Sequence, residues 1–149
     1  MNTHAIEHAL RHIPRFGGVL AKDELVLEYG KSSTFYVVNT DPSHLPGEHW
    51  VAFYTGARPE FFDSTAHSPR SYGNGFNQFL VHYGPQYMYN CERIQAYGSQ
   101  SCGLYCIYYV YMRSLGFSMF DVVNTFCNHL DANEAFIQDF YVKFLRRVN

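Results

Sequence analysis

Four side chains in this sequence form a set able to break an acyl bond: His49, Asp63, Gln95 and Cys102. Cys102 lies in Ser101-Cys102-Gly103, where a loop gives way to an apolar stretch with no charge before Arg113. A helix N-terminus carries roughly half a positive charge and unpaired N–H groups, and both favour a thiolate over a thiol. Gly103 leaves the sulfur and an adjacent oxyanion uncrowded. A free cysteine is most often simply buried, so Cys102 gains its meaning from its partners.

The first partner is His49, at the start of the strand-like run His49-Trp-Val-Ala-Phe-Tyr54. Glu60-Phe-Phe-Asp63 reads as the returning strand. A hairpin centred on Gly56 sets Val51 opposite Phe61 and His49 opposite Asp63. Opposed residues have Cβ atoms about 4.5–5.5 Å apart, close enough for a carboxylate to hold an imidazole N–H and fix its tautomer. Gln95 lies seven residues before Cys102. Its amide can donate to an oxyanion beside the backbone N–H of Cys102. Gln100, two residues from the sulfur, is too close for its side chain to turn back easily.

These residues need a scaffold. Thr3 reads as the cap of a helix over 4–13, ended by Pro14 and Gly17-Gly18. Residues 35–38, 49–54, 60–63 and 87–94 read as strands, 64–75 as a loop and 76–82 as a short helix. Residues 102–115 read as a helix apolar all round, hence buried. Ser118-x-x-Asp121 is a capping box opening a helix to about Asn128, and Asp131 opens the last one. Strands grouped before helices predict an α+β fold: a mixed, mainly antiparallel sheet packed against a buried central helix. A length of 149 residues suits one domain over 1–149.

Apolar residues make up 47% and charged residues 16%, which excludes a disordered chain. A net charge of −2 gives no strong electrostatic footprint for nucleic acid, so such binding is weak at most. The basic cluster Lys143, Arg146 and Arg147 complements the end of a helix. No apolar run reaches the ~20 residues of a membrane span. The N-terminus lacks the continuous apolar core of a secretory signal, so the four cysteines are expected reduced and unsecreted.

Two decoys are set aside. His4-x-x-Glu7-His8 matches a zinc-protease pattern, but it lies far from any cleft-forming strand and lacks a third ligand. Cys91, Cys102, Cys106 and Cys127 contain no Cys-x-x-Cys knuckle, so no metal site is expected.

The ordered set resembles a known family. Val38-Asn39-Thr40, Gly47-x-His49-Trp50-x-Ala52-Phe53, Phe62-Asp63, Gln95 and Ser101-Cys102-Gly103-Leu104-Tyr105-Cys106 are similar to the adenovirus protease (adenain) family. That family has relatives in other DNA viruses and virus-like transposons, and is related to SUMO-specific proteases. The resemblance implies a papain-like cysteine protease with Cys102 as nucleophile, His49 as general base, Asp63 orienting His49 and Gln95 supporting the oxyanion. It places Gly17, Gly18, Trp50 and Gly103 on the substrate cleft. It further implies cleavage of viral precursor polypeptides near Gly-Gly or Gly-X-Gly sites, in the virion and host nucleus, by a monomer. The family uses DNA and an activating peptide. This chain is shorter and mildly acidic, so no cofactor is required by its sequence, and Cys91 is assigned no bond to such a peptide. A ubiquitin-like-protein protease acting after a Gly-Gly tail, or an inactive interaction domain, are the alternatives on this scaffold.

Overall fold

A computed structural model describes residues 1–25 and 31–148. The order is α1 (Thr3–Leu10), β1 (Phe16–Leu20), β2 (Phe35–Asn39), β3 (Trp50–Tyr54), β4 (Glu60–Phe62), α2 (Asn74–Tyr83), β5 (Met88–Tyr89), α3 (Cys102–Ser114), α4 (Met119–Asn124) and α5 (Leu130–Val148). The strands form one sheet in the order β1-β2-β3-β4-β5. The fold is therefore α+β with a mixed sheet. Its two central pairings, β2–β3 and β3–β4, are antiparallel, and its two outer pairings are parallel. Among the described residues the sheet is thus evenly mixed rather than mainly antiparallel.

Strand alternation sorts side chains to two faces. Phe35, Val37, Trp50, Ala52 and Phe62 join a core with α1, α3, α4 and α5. Tyr36, Val38, Val51, Phe53 and Phe61 join a second core with Phe76, Phe79 and Leu80 of α2. Residues Cys102 to Val110 of α3 are all buried. The Tyr109 ring stacks on Phe62 at 4.8 Å between centroids. Its hydroxyl donates to Glu60 Oε2 at 2.5 Å, and Arg113 clasps both Glu60 oxygens at 2.8 and 2.9 Å. A bidentate, charge-assisted pair of this kind fixes direction as well as distance. It ties the far end of α3 to the start of β4 and so sets where the Cys102 end emerges.

Several elements differ from expectation. Asn2, not Thr3, caps α1, accepting from the Ala5 N–H at 2.9 Å, and the helix stops at Leu10. The Gly17-Gly18 break lies inside β1. A Cβ at Gly17 would come within 2.5 Å of Thr34 and Tyr36, so the glycine lets β1 lie against its neighbour. The expected strand over 87–94 shrinks to Met88–Tyr89. The 64–75 loop holds a short 3-10 turn, Pro69–Tyr72, and α2 begins at Asn74. Ser118 and Asp121 do form the capping box, but α4 ends at Asn124.

Candidate active site

The β3–β4 hairpin decides whether His49 meets Asp63. Its register pairs Ala52 with Phe62, Phe53 with Phe61 and Tyr54 with Glu60. Val51 therefore does not face Phe61, and His49 does not directly face Asp63. The connection runs over 55–59 and centres on Ala57, one residue later than expected. This slip moves the partner by two positions, which preserves side-chain parity, so both residues stay on one face. His49 and Asp63 become diagonal neighbours, a separation that long polar side chains bridge. His49 Nε2 donates to Asp63 Oδ1 at 2.8 Å.

Asp63 is fully buried and richly satisfied. Its Oδ1 also accepts from the Thr65 N–H at 2.8 Å and the Thr65 hydroxyl at 2.7 Å. Its Oδ2 accepts from the Tyr72 hydroxyl at 2.6 Å. Burial pushes this carboxyl up, but the bond to His49, the His49 charge and these donors outweigh it and hold the group below the usual carboxylate range. The Asn90 side chain clamps the Asp63 backbone, accepting from its N–H at 2.9 Å and donating to its carbonyl at 2.7 Å. Tyr72 also lies over the His49 ring, with centroids 6.3 Å apart and planes at 23°.

With Nε2 committed to Asp63, the other ring nitrogen of His49 is left for Cys102. The two groups act on one another electrostatically, each shifting the other's pKa. Cys102 is the first residue of α3, and the Ser101 side chain makes no capping hydrogen bond there. Burial pushes the thiol up. The His49 imidazole, the Trp50 N–H, the His49 charge and the Gly103 N–H outweigh burial and bring it below the ordinary thiol range. For His49, burial lowers the pKa, but its bond to Asp63, the Cys102 thiol and the charges of both raise it to about 9. Both shifts act in the direction of a thiolate–imidazolium pair. Cys106, one turn along α3, is pushed well up by burial and by the charge of Cys102, so its thiol is inert.

Gln95 is buried. Its Oε1 accepts from the Ser64 hydroxyl at 2.6 Å, and its Nε2 donates to the Ser99 carbonyl at 2.8 Å. A carbonyl can only accept, so the nitrogen end must face Ser99 and the oxygen end Ser64. One amide N–H stays without a partner among the described residues.

The four residues named for the cleft have different settings. Gly18 takes φ +133 with open space where a Cβ would stand. Gly17 packs on Tyr36. Trp50 is 7% exposed, and its indole N–H donates to the Met1 carbonyl at 3.0 Å. A Cβ at Gly103 would press on Met1 at 3.1 Å and Ile6 at 3.4 Å. Met1 therefore lies over the Trp50–Gly103 side of the site.

Sequence reasoning passed over Tyr72, Thr65, Ser64 and Asn90. Thr65 had a local signal, since Asp-x-Thr suits an Asx-turn in which the carboxylate accepts from the N–H two residues on. The others reach the site from segments with no local mark of it. Among the described residues no group of three His, Cys, Asp or Glu side chains is placed to hold a metal ion, and no helix is long and apolar enough to cross a membrane. The chain matches no family model, and no curated protein matches it significantly.

Proposed function

We propose that this chain is a cysteine endopeptidase of the papain-like adenain type, serving viral maturation by cutting precursor polypeptides near Gly-Gly or Gly-X-Gly sites. One observation carries the reading. Cys102 starts the buried helix α3, and its thiol pKa is lowered by His49, which the buried Asp63 holds by Nε2 at 2.8 Å. A nucleophile, a base and an orienting acid in line are the requirements of covalent acyl transfer.

The Cys102 thiolate attacks the carbonyl carbon of the scissile peptide, and the carbonyl π pair moves onto oxygen. The backbone N–H of Cys102 and the remaining N–H of Gln95 hold that oxyanion. Collapse breaks the C–N bond, and His49 gives its proton to the leaving amine. A water molecule, deprotonated by His49, then clears the thioester and regenerates the thiolate. Work inside the virion and the host nucleus, on viral precursor chains, follows from this reading.

Limiting iodoacetamide across pH, with peptide mapping, tests it. Cys91 and Cys127 are exposed, Cys106 is buried, and Cys102 is paired with His49. Cys102 is expected to alkylate first at pH 6, because His49, protonated up to about pH 9, lowers its thiol pKa. Faster labelling of Cys91 or Cys127 at pH 6 overturns the assignment. Gln95→Ala is expected to lower kcat on a Gly-Gly peptide about 10²–10³-fold while leaving the alkylation profile in place. An unchanged kcat removes Gln95 from the oxyanion site.

A further inference from the structure

Helix α5 turns one polar stripe toward the segment that carries Gln95. Its Glu134 Oε1 accepts from the Ala96 N–H at 3.0 Å and the Tyr105 hydroxyl at 3.1 Å. Its Oε2 accepts from the Ser99 hydroxyl at 2.9 Å. Asn133 donates to the Ile94 carbonyl at 3.0 Å, and Gln138 donates to the Ser101 hydroxyl at 3.2 Å. These contacts span 94–101, from the residue before Gln95 to the one before Cys102.

Ser99 is the joint of this arrangement. Its carbonyl takes one N–H of Gln95, and its hydroxyl oxygen accepts from the Ser101 N–H at 3.1 Å. Its hydroxyl proton goes to Glu134. One carboxylate therefore fixes the residue that orients the Gln95 amide and also braces the turn into α3. Tyr105, on α3 itself, donates to the same carboxylate, so helix and loop are referred to one point.

We infer that Glu134 is the positioning residue of the oxyanion site, acting through Ser99 on the Gln95 amide. The inference rests on the protease reading above. Glu134 touches no reacting atom. Its effect is geometric: Ser99 fixes the Gln95 amide, whose other N–H the protease reading assigns to the oxyanion. A misplacement of about 1 Å at such a donor costs up to about 10²-fold in rate.

The test is a double-mutant cycle on a Gly-Gly peptide with wild type, Glu134→Ala, Gln95→Ala and the double variant. Glu134→Ala is expected to lower kcat about 10–10²-fold with KM within about twofold. In the Gln95→Ala background the same change is expected to cost less than about twofold, because residues acting as one unit are not additive. Glu134→Gln keeps one acceptor and is expected to recover part of the rate. The pH profile of Cys102 alkylation is expected to stay unchanged in all three single variants. An active wild type with an unaffected Glu134→Ala variant, or equal losses in both backgrounds, overturns the inference alone. A wild type without turnover and without activated Cys102 overturns the protease reading, and the inference falls with it.

Discussion

Cys102→Ala is expected to reduce turnover of a Gly-Gly peptide on the order of 10⁶-fold, to the level set by binding and the oxyanion donors alone. The reason is chemical rather than structural. Alanine offers no atom that can form the thioester, and no other cysteine is placed to replace it. Cys106 is buried with its thiol pushed well up, the exposed Cys91 contacts Tyr89, and the exposed Cys127 contacts His129 and Asn133. The fold is expected to tolerate the change. Cys102 is 6% exposed, and removing one buried sulfur costs about 1 kcal/mol, a shift of roughly 2–4 °C in Tm. Thermal melting and peptide turnover, measured together, check both halves. Retained turnover with a normal melt removes Cys102 from the mechanism.

The readable parts of this molecule are those whose cause is local. The unbroken apolar run after Cys102 allows only a buried helix, and α3 is one. Strand alternation is equally robust. The hairpin slipped by one residue at its turn, yet His49 and Asp63 still met, because the slip preserved parity. The misread parts had causes elsewhere in the chain. Gly17-Gly18 looks like a break until Thr34 and Tyr36 are known to lie where a Cβ would go. The alternation over 87–94 looks like a long strand, but past Tyr89 the Asn90 side chain, not a backbone ladder, pairs with Asp63. Gln95 is singled out by its place seven residues before Cys102 together with the family resemblance. Its orientation is not, because Ser64 and Ser99 set it and Glu134 sets Ser99. Nothing in the order of residues brings position 134 to position 99. That meeting depends on how α5 packs against α3.

His49→Ala is expected to cost nearly as much as loss of the nucleophile, again on the order of 10⁶-fold, and to move the Cys102 alkylation profile to higher pH. The His49 imidazole is the main influence that brings the thiol down. With the imidazole gone, only the N–H groups of Trp50 and Gly103 and the α3 terminus oppose burial, the largest influence on the sulfur. The thiolate then becomes scarce at neutral pH, and no group remains to protonate the leaving amine. The sign of the pH effect follows from the same pair. In the wild type the imidazolium persists up to about pH 9, so the thiol is held below its ordinary range over the pH at which His49 is charged. In the variant, reactivity is expected to climb with pH through and beyond the ordinary thiol range. The Asp63 pocket makes the experiment sharper. Its carboxylate keeps three donors from Thr65 and Tyr72 after His49 is removed, so its charge stays satisfied and the hairpin is held. A His49→Ala variant that melts like the wild type, has lost turnover and alkylates only at high pH identifies the imidazole as the source of the thiolate. A variant whose Cys102 still alkylates rapidly at pH 6 assigns that activation to the helix terminus and the backbone N–H groups, and leaves His49 only the proton transfers.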